Sequence, residues 1–264
     1  IYPSSVLTNE GPFTFIIPSD STDYTFLPLT RLEGEIEITK LAGTALAATD
    51  EVTFVNLLPQ SLFKQVECSI NDVQINDLST PTYHYKSFIQ THLSHGEEMK
   101  KYTLKDCELY HRETVGKENT ITLADWGDSF KERQRLFIGK KIRFSIVPHI
   151  DFFQVGKNLI PGCDIKLKFI RADDNFSLIG GAVIAKIKIN KLLLRVRRIT
   201  ADPAYHAKVE AELSKTPAIY PVASSKIKTH LLNNGIQSTV ISQIIRGKLP
   251  RHMILCFVDA KAFD

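Results

Sequence analysis

Residues 32–39, Leu-Glu-Gly-Glu-Ile-Glu-Ile-Thr, alternate between apolar and acidic side chains. In an extended chain the apolar residues of this stretch lie on one face and the three glutamates on the other, because successive side chains of a β-strand point to opposite sides. The apolar set is Leu32, Ile36 and Ile38. The stretch therefore predicts a strand with one buried and one solvated face.

The same period of two recurs along most of the chain, with turn-forming residues between the alternating runs. No strand–helix–strand rhythm interrupts it, which argues against a parallel sheet. The pattern predicts an all-β fold, an antiparallel jelly-roll β-sandwich with a few short helices, followed by the start of a second jelly roll. The strongest runs are 32–39, 141–147, 163–169 and 184–199, and weaker ones are 13–17, 51–57, 64–70, 119–123 and 253–258.

Helical spacing is confined to three segments, 83–94, 203–214 and 238–246, of which the last also fits a strand because it is rich in β-branched residues. The chain changes character near 200–218, where a polar, alanine-rich stretch follows the longest strand. We place a domain boundary there. The prediction is a first jelly roll over 1–200, a helical linker over 201–217, and over 218–264 the incomplete beginning of a second jelly roll with strands at 218–222 and 225–232.

The composition is that of a globular protein without a large excess of positive or negative charge. Hydrophobic residues make up 43% of the 264 residues and charged residues 23%, and the net charge of +4 is too small for a dedicated nucleic-acid binder. No apolar run reaches the length of a membrane-spanning helix. The four cysteines are widely spaced, and those at 163 and 256 lie in apolar runs, so buried thiols in a reducing compartment are expected. The missing initiator methionine suggests a trimmed or excised segment.

No pattern of catalytic residues is present, and the chain is not expected to be an enzyme or to hold a cofactor. His84, His92 and His95 crowd one helical segment, but their spacing matches no metal-binding motif. We interpret them as surface or partly packed histidines, and no metal site is predicted.

Basic residues lie along the longest predicted strand, 184–199. They are Lys186, Lys188, Lys191, Arg195, Arg197 and Arg198. One interpretation is a positive surface that faces packaged nucleic acid. The favoured one is the solvated outer face of a sandwich strand, with lysines protecting a sheet edge. The single tryptophan, Trp126, lies in a loop and is interpreted as an anchor for a loop or a subunit contact.

Several segments, taken in order, resemble the double-jelly-roll major capsid proteins of Polinton (Maverick) elements and adintovirus-like DNA viruses, and their copies in animal genomes. The likeness runs from about residue 10 to the end of the chain, through short motifs that are specific only as a set. Those segments are 27–32, 41–44, 55–67, 71–73, 79–86, 148–153, 159–164 and 218–221.

The resemblance implies a structural virion protein. Two consecutive jelly rolls would form one subunit, three subunits a homotrimeric, pseudo-hexameric capsomer, and many capsomers an icosahedral shell. Expected partners are other copies in the capsid lattice, penton or other minor capsid proteins, and packaged DNA through a salt-sensitive contact. The expected location is the virion, after synthesis inside the host cell. The chain ends where the second jelly roll of that family is only beginning, which suggests a fragment or a truncated protein.

Loops between strands are expected to carry the subunit contacts, because they are free of the constraints of the core. The candidate interaction residues are Tyr83, Tyr85, Trp126, Arg195, Arg197 and Arg198.

Three alternatives stay open. A lectin-like jelly-roll module would need a concave, aromatic-lined or ion-bound site. A cupin-like metalloenzyme would need histidines and glutamates facing inward from strands. A host-domesticated capsid-derived protein would keep the fold without forming virions.

Overall fold

The computed structural model describes residues 1–76, 81–112, 127–180, 185–242, 244–245, 247 and 249–258. It divides into two compact units, Ile1–Ser225 and Lys226–Asp264. All regular structure in the described residues belongs to the first unit. The strand expected at 119–123 and the loop that holds Trp126 lie outside the described residues.

Nine strands form three antiparallel sheets in the described part of the chain. A four-stranded sheet, sheet A, has the order β1-β7-β4-β5; a three-stranded sheet, sheet B, has the order β6-β2-β9; and β3 pairs with β8. The strands are β1 (Phe13–Ile17), β2 (Asp23–Lys40), β3 (Val52–Phe54), β4 (Phe63–Ile70), β5 (Val73–Gln74), β6 (Ile142–Ile146), β7 (Ile165–Arg171), β8 (Leu178–Gly180) and β9 (Ala185–Thr200).

The two longest strands, β2 and β9, pair over most of their lengths, with two interruptions of register. One lies between the pairs Glu35–Lys191 and Ile36–Ile189, where Asn190 is the extra residue of a bulge. The other lies between Phe26 and Arg31. A bulge changes which alternate residues face inward. Ile187 and Leu192 can therefore both be buried although they are five positions apart.

One continuous apolar core contains the inward side chains of both large sheets. Phe15 and Phe169 of sheet A meet edge to face, with ring centroids 5.7 Å apart, an arrangement that aromatic pairs favour. In sheet B, Gly34 lies directly opposite Phe144. A Cβ atom at Gly34 would lie 2.7 Å from Cε1 of Phe144 and 3.0 Å from the carbonyl oxygen of Lys191. The glycine is therefore required by the close approach of the phenylalanine ring.

Seven short α-helices and one 3-10 helix connect the strands in the described residues. Tyr83–Ser94 is helical as expected, and the helix expected at 203–214 forms over Pro203–Leu213, where the Asp202 side chain accepts a hydrogen bond from the Ala204 N–H. None of these helices is long and apolar enough to cross a lipid bilayer. The helices are α1 (Leu58–Ser61), α2 (Tyr83–Ser94), α3 (Glu97–Lys101), α4 (Thr103–Glu108), α5 (Asp128–Phe137), α6 (Asp174–Ser177) and α7 (Pro203–Leu213), and the 3-10 helix is Asp151–Gln154.

The predicted fold class is confirmed: the protein is mostly antiparallel β-sheet with a few short helices, consistent with a jelly-roll sandwich. All four of the strongest alternating runs overlap observed strands, at β2, β6, β7 and β9. The run at 51–57 stops early, because Leu57 takes a left-handed conformation with φ 57° and α1 begins at the next residue.

The region after α7 differs from the prediction. The expected strands at 218–222, 225–232 and 253–258 are absent, and the described residues of 238–246 form no helix. In the second unit, taken by itself, large apolar side chains such as Val240, Leu249 and Phe257 are mostly exposed. A strand is stable only beside a partner that satisfies its backbone groups, and no described residue of these segments takes part in a sheet. Cys256, expected to be buried, is exposed for the same reason, and Cys163 is only half-buried.

Candidate subunit-contact surfaces

Sheet B presents a charged outer face, which we call the charged face. Its central strand, β2, contributes the three glutamates at 33, 35 and 37, which alternate with buried residues as the sequence predicts. Basic residues flank them on both neighbouring strands. The members of the charged face are Glu33, Glu35 and Glu37 from β2, Arg143 from β6 with Lys141 just before it, and Lys188, Lys191 and Arg195 from β9.

Two of the three glutamates, Glu33 and Glu35, are paired with these basic side chains, and Glu37 accepts a hydrogen bond from Asn190. Arg195 donates two hydrogen bonds to Glu33, at 2.8 Å from Nε and 3.1 Å from Nη2. Those bonds raise the pKa of Arg195 further above its usual value. Glu35 contacts both Arg143, at 3.3 Å, and Lys141, at 3.5 Å. The acidic central row thus compensates much of the basic charge, which favours a solvated sheet face over a dedicated nucleic-acid surface.

Arg198 is also engaged within the chain. It contacts the Asp20 carboxylate at 3.4 Å and donates to the Pro18 carbonyl oxygen. Asp20 has a lowered pKa, chiefly because its carboxylate accepts a hydrogen bond from the Thr22 backbone N–H, with the Arg198 charge acting in the same direction. This arginine therefore fixes the loop before β2.

Arg197 differs from the other two arginines of the prediction. It is exposed, lies opposite Phe26 in the β2–β9 ladder, and has no acidic partner in the part of the chain that the structure describes. An exposed guanidinium without an internal partner is available to a carboxylate or phosphate of another molecule. Of the three arginines, Arg197 is thus the best candidate for an external contact.

Tyr83 is not positioned as a surface anchor. It begins α2, its side chain is only 8% exposed, and burial raises the pKa of its hydroxyl. The hydroxyl donates to Gln60 Oε1 at 2.8 Å and accepts from the His149 backbone N–H at 3.2 Å. Its aromatic ring and its hydroxyl are both used inside the subunit, so it offers little surface to a second one.

Tyr85 is half-buried on the outer side of α2. Its ring packs against His84, at 4.4 Å between centroids, and against Phe176 of α6, at 5.7 Å. Part of the ring reaches the surface, so a contact with another subunit stays open for this residue. Trp126, the third aromatic candidate, lies outside the described residues.

The structure also contains a buried polar cluster that the sequence analysis missed. It consists of Gln60, Tyr83, Glu108 and His149. Gln60 Nε2 contacts Glu108 Oε2 at 3.4 Å and the Val147 carbonyl oxygen at 3.2 Å. Burial raises the pKa of Glu108. No sequence motif marks these residues, since they come from four separate segments; the only signal is that polar residues stand in otherwise apolar surroundings.

His84 and His92 of α2 and His95, which directly follows that helix, do not converge on one point. His84 packs between Tyr85 and Phe176, His92 stacks on Phe88 at 4.3 Å, and His95 Nδ1 lies 3.2 Å from the Thr91 carbonyl oxygen. Burial lowers the pKa of His84 to about 4. Within the described ranges no group of three or more His, Cys, Asp or Glu side chains could hold a metal ion.

No protein-family model matches the chain, and distant likenesses come from a curated protein and from a solved structure. The curated "Uncharacterized protein F54H12.2" of Caenorhabditis elegans is 20% identical over 266 residues, which cover 97% of this chain and 61% of that protein. The chain thus spans less than two thirds of the length of this relative. The "Crystal structure of mavirus major capsid protein" aligns with 78% of this chain and 47% of its own, at 14% identity and a TM-score of 0.42. At these levels neither protein transfers a function to this chain.

Proposed function

We propose that this chain is a capsid-type structural protein, a non-enzymatic building block that associates with further copies of itself. In the finer form of the proposal, three subunits of the complete protein make a pseudo-hexameric capsomer of an icosahedral shell. Penton or other minor capsid proteins would be further partners, and the virion would be its location.

The observation that carries the proposal is where the segments that resemble capsid proteins meet. Residues 218–221 contact both 148–153 and 159–164, although Tyr220 lies 60 positions after Ile160. The Tyr220 hydroxyl accepts a hydrogen bond from the Ile160 N–H at 3.1 Å, and its ring lies 5.8 Å from that of Phe152. Three short motifs that are individually weak thus form one structural unit on an antiparallel sandwich, which supports treating them as one signature.

The described surface fits assembly better than catalysis. Shell contacts need many exposed groups that act together. The charged face, the partly exposed ring of Tyr85 and the guanidinium of Arg197 are such groups. The proposed contact with packaged DNA falls to Arg197, because Arg195 and Arg198 are engaged with acidic side chains of the same chain.

Size-exclusion chromatography with light scattering and negative-stain microscopy of the complete gene product test the proposal. We expect trimers or larger particles, and a strictly monomeric folded product would overturn it. Arg197→Glu should lower the assembled fraction. The matched control is Lys140→Glu, the same charge reversal at an exposed turn residue before β6, and it should leave assembly unchanged.

A second candidate, a host-domesticated capsid-derived protein, is supported by the occurrence of a similar protein in a nematode. It predicts a stable fold, with trimers at most and no closed particles. The same microscopy distinguishes the two functions.

A further inference from the structure

Residues 219–225, which we call the strap, lie on the sandwich and are held at both ends. At one end the Tyr220 hydroxyl donates to the Asn158 carbonyl oxygen at 3.1 Å, and Lys157 Nζ donates to the Ile219 carbonyl oxygen at 3.1 Å. At the other end Ser225 binds Asp151 twice: its N–H donates to Oδ2 at 2.9 Å and its hydroxyl to Oδ1 at 2.8 Å. The strap is therefore a separate segment fastened by a few polar contacts.

Asp151 also joins the strap to α2. Its Oδ1 atom lies 2.7 Å from Nζ of Lys86, and both side chains are largely shielded from solvent, at 15% and 19% exposure. One carboxylate thus holds a lysine of the helix and a serine of the strap together. We call the Lys86–Asp151–Ser225 contact the latch.

His149 lies two residues before Asp151 and beneath the same helix. It is 7% exposed, and its Nδ1 atom has no hydrogen-bond partner in the part of the chain that the structure describes. Its pKa is lowered to about 4, chiefly by burial and then by the charges of Lys86 and His95; a hydrogen bond to the Ser87 backbone opposes the shift.

The charged and titratable groups around His149 come from three elements. Lys86 belongs to α2 and His95 directly follows that helix, Asp151 belongs to the 3-10 helix, and Glu108 belongs to α4, where it contacts the backbone of Val147. Glu108 has a raised pKa because it is buried, and Asp151 already binds Lys86 and Ser225. A proton on His149 would place a second positive charge near Lys86, in a buried site that water does not reach.

We propose that the latch is acid-sensitive: protonation of His149 drives the 148–151 loop toward water, pulls Asp151 away from Lys86 and Ser225, and releases the strap while the sandwich stays folded. The proton comes from solvent, and no covalent bond changes. A charged imidazole is stable only where water or an anion can reach it, and the loop that carries it is the loop that carries the latch. The change in pH is thereby converted into local opening.

Hydrogen exchange measured by mass spectrometry on the whole chain tests this inference. After correction for intrinsic rates, the opening constant of the Ser225 amide, the strap N–H that donates to Asp151, should rise about tenfold per pH unit as the pH falls from about 6 to about 4.5, because only the open state binds the extra proton. Peptides from β9 should show no such rise in that range. A strap with no pH dependence, or β9 amides that open in parallel with it, would overturn the proposal.

Three variants sharpen the test. His149→Gln should remove the pH dependence, while the control His230→Gln, which changes an exposed histidine of the second unit, should keep it. Asp151→Asn breaks the latch without touching His149, so its strap should exchange rapidly at every pH. If His149→Gln does not fold, Asp151→Asn still tests the mechanism. An acid response that persists in either His149→Gln or Asp151→Asn contradicts the mechanism. Because the readout is local exchange, its failure leaves the assembly proposed above untouched.

Discussion

The charged face of sheet B and the polar cluster beneath α2 contain similar residue types in opposite surroundings. On the charged face, Glu33 and Arg195 are solvated and bind each other. Beneath α2, Glu108 and His149 are 6% and 7% exposed, and neither is balanced by a direct ion pair in the described residues. Water screens the first set, whereas the second depends on keeping its groups uncharged or hydrogen-bonded.

This contrast predicts where a change of charge, or the loss of a single atom, lowers the stability of the fold. An exposed ion pair contributes little, because water replaces a lost partner. A buried polar group that loses its partner bears the full cost of desolvation. The following experiments test this contrast, beginning with the largest expected effect.

Acid should destabilise the fold through the buried histidines. His84 and His149 have pKa values of about 4 in the folded protein, below the usual 6.5. Between these values the unfolded chain binds more protons than the folded one, so stability is complete above pH 6.5 and falls as the pH drops to 4. Together the two histidines should lower the free energy of unfolding by on the order of 5 kcal/mol at pH 4 relative to pH 7. Urea unfolding as a function of pH measures it.

The double variant His84→Gln/His149→Gln is the matched test of that loss. Its unfolding free energy should change much less between about pH 6.5 and 4.5, where most carboxylates stay ionised. The raised pKa of Glu108 acts in the opposite direction, because its protonation on acidification favours the folded state. An unchanged pH slope in the double variant would show that the histidines are not the cause.

Tyr83→Phe should have the next largest effect on the free energy of unfolding. It removes the hydroxyl that binds Gln60 Oε1 and the His149 N–H but keeps the buried ring. Two buried polar groups then lose a partner, which costs about 1–3 kcal/mol. Thermal or urea unfolding at pH 7 measures this loss of stability. Tyr102→Phe, the same change at a residue that is 58% exposed, is the control and should be close to neutral.

Arg195→Ala should have the smallest effect. The arginine is 68% exposed and its bidentate contact with Glu33 lies in solvent, so we expect a small loss of unfolding free energy that shrinks further at high salt. Unfolding at low and high ionic strength measures both. A loss as large as that of Tyr83→Phe, and insensitive to salt, would contradict the contrast between the two regions.

Much of the sandwich was predictable, because its strands are long enough to show alternation. In β2 and β9 apolar and polar residues alternate, and this alternation predicts the burial of every second residue, apart from the bulge at Asn190. The helices α3 and α4 were missed because they are short and polar, as in Glu97-Glu98-Met99-Lys100-Lys101. Their stability depends on packing and not on an amphipathic pattern of their own. The division into a first jelly roll, a linker and the start of a second stays a prediction.

The interaction residues were harder to predict. Sequence alone does not tell whether an arginine in a strand has an acidic neighbour, and the register that pairs β9 with β2 decides this for Arg195 and leaves Arg197 exposed. Tyr83 was expected at a subunit contact, as one of three aromatic candidates. Its burial depends on contacts with Gln60 and His149, which are 23 and 66 positions away. Such long-range contacts leave no local signal.

The approach of Phe144 to Gly34 links two positions that are 110 residues apart. The ring occupies the volume that any side chain at position 34 would need, and interiors this dense have no spare room. Either residue can therefore change only in step with the other: a bulkier residue at 34 requires a smaller one at 144. Among true homologues the two positions should covary, which gives a means of recognising distant members when overall identity no longer helps.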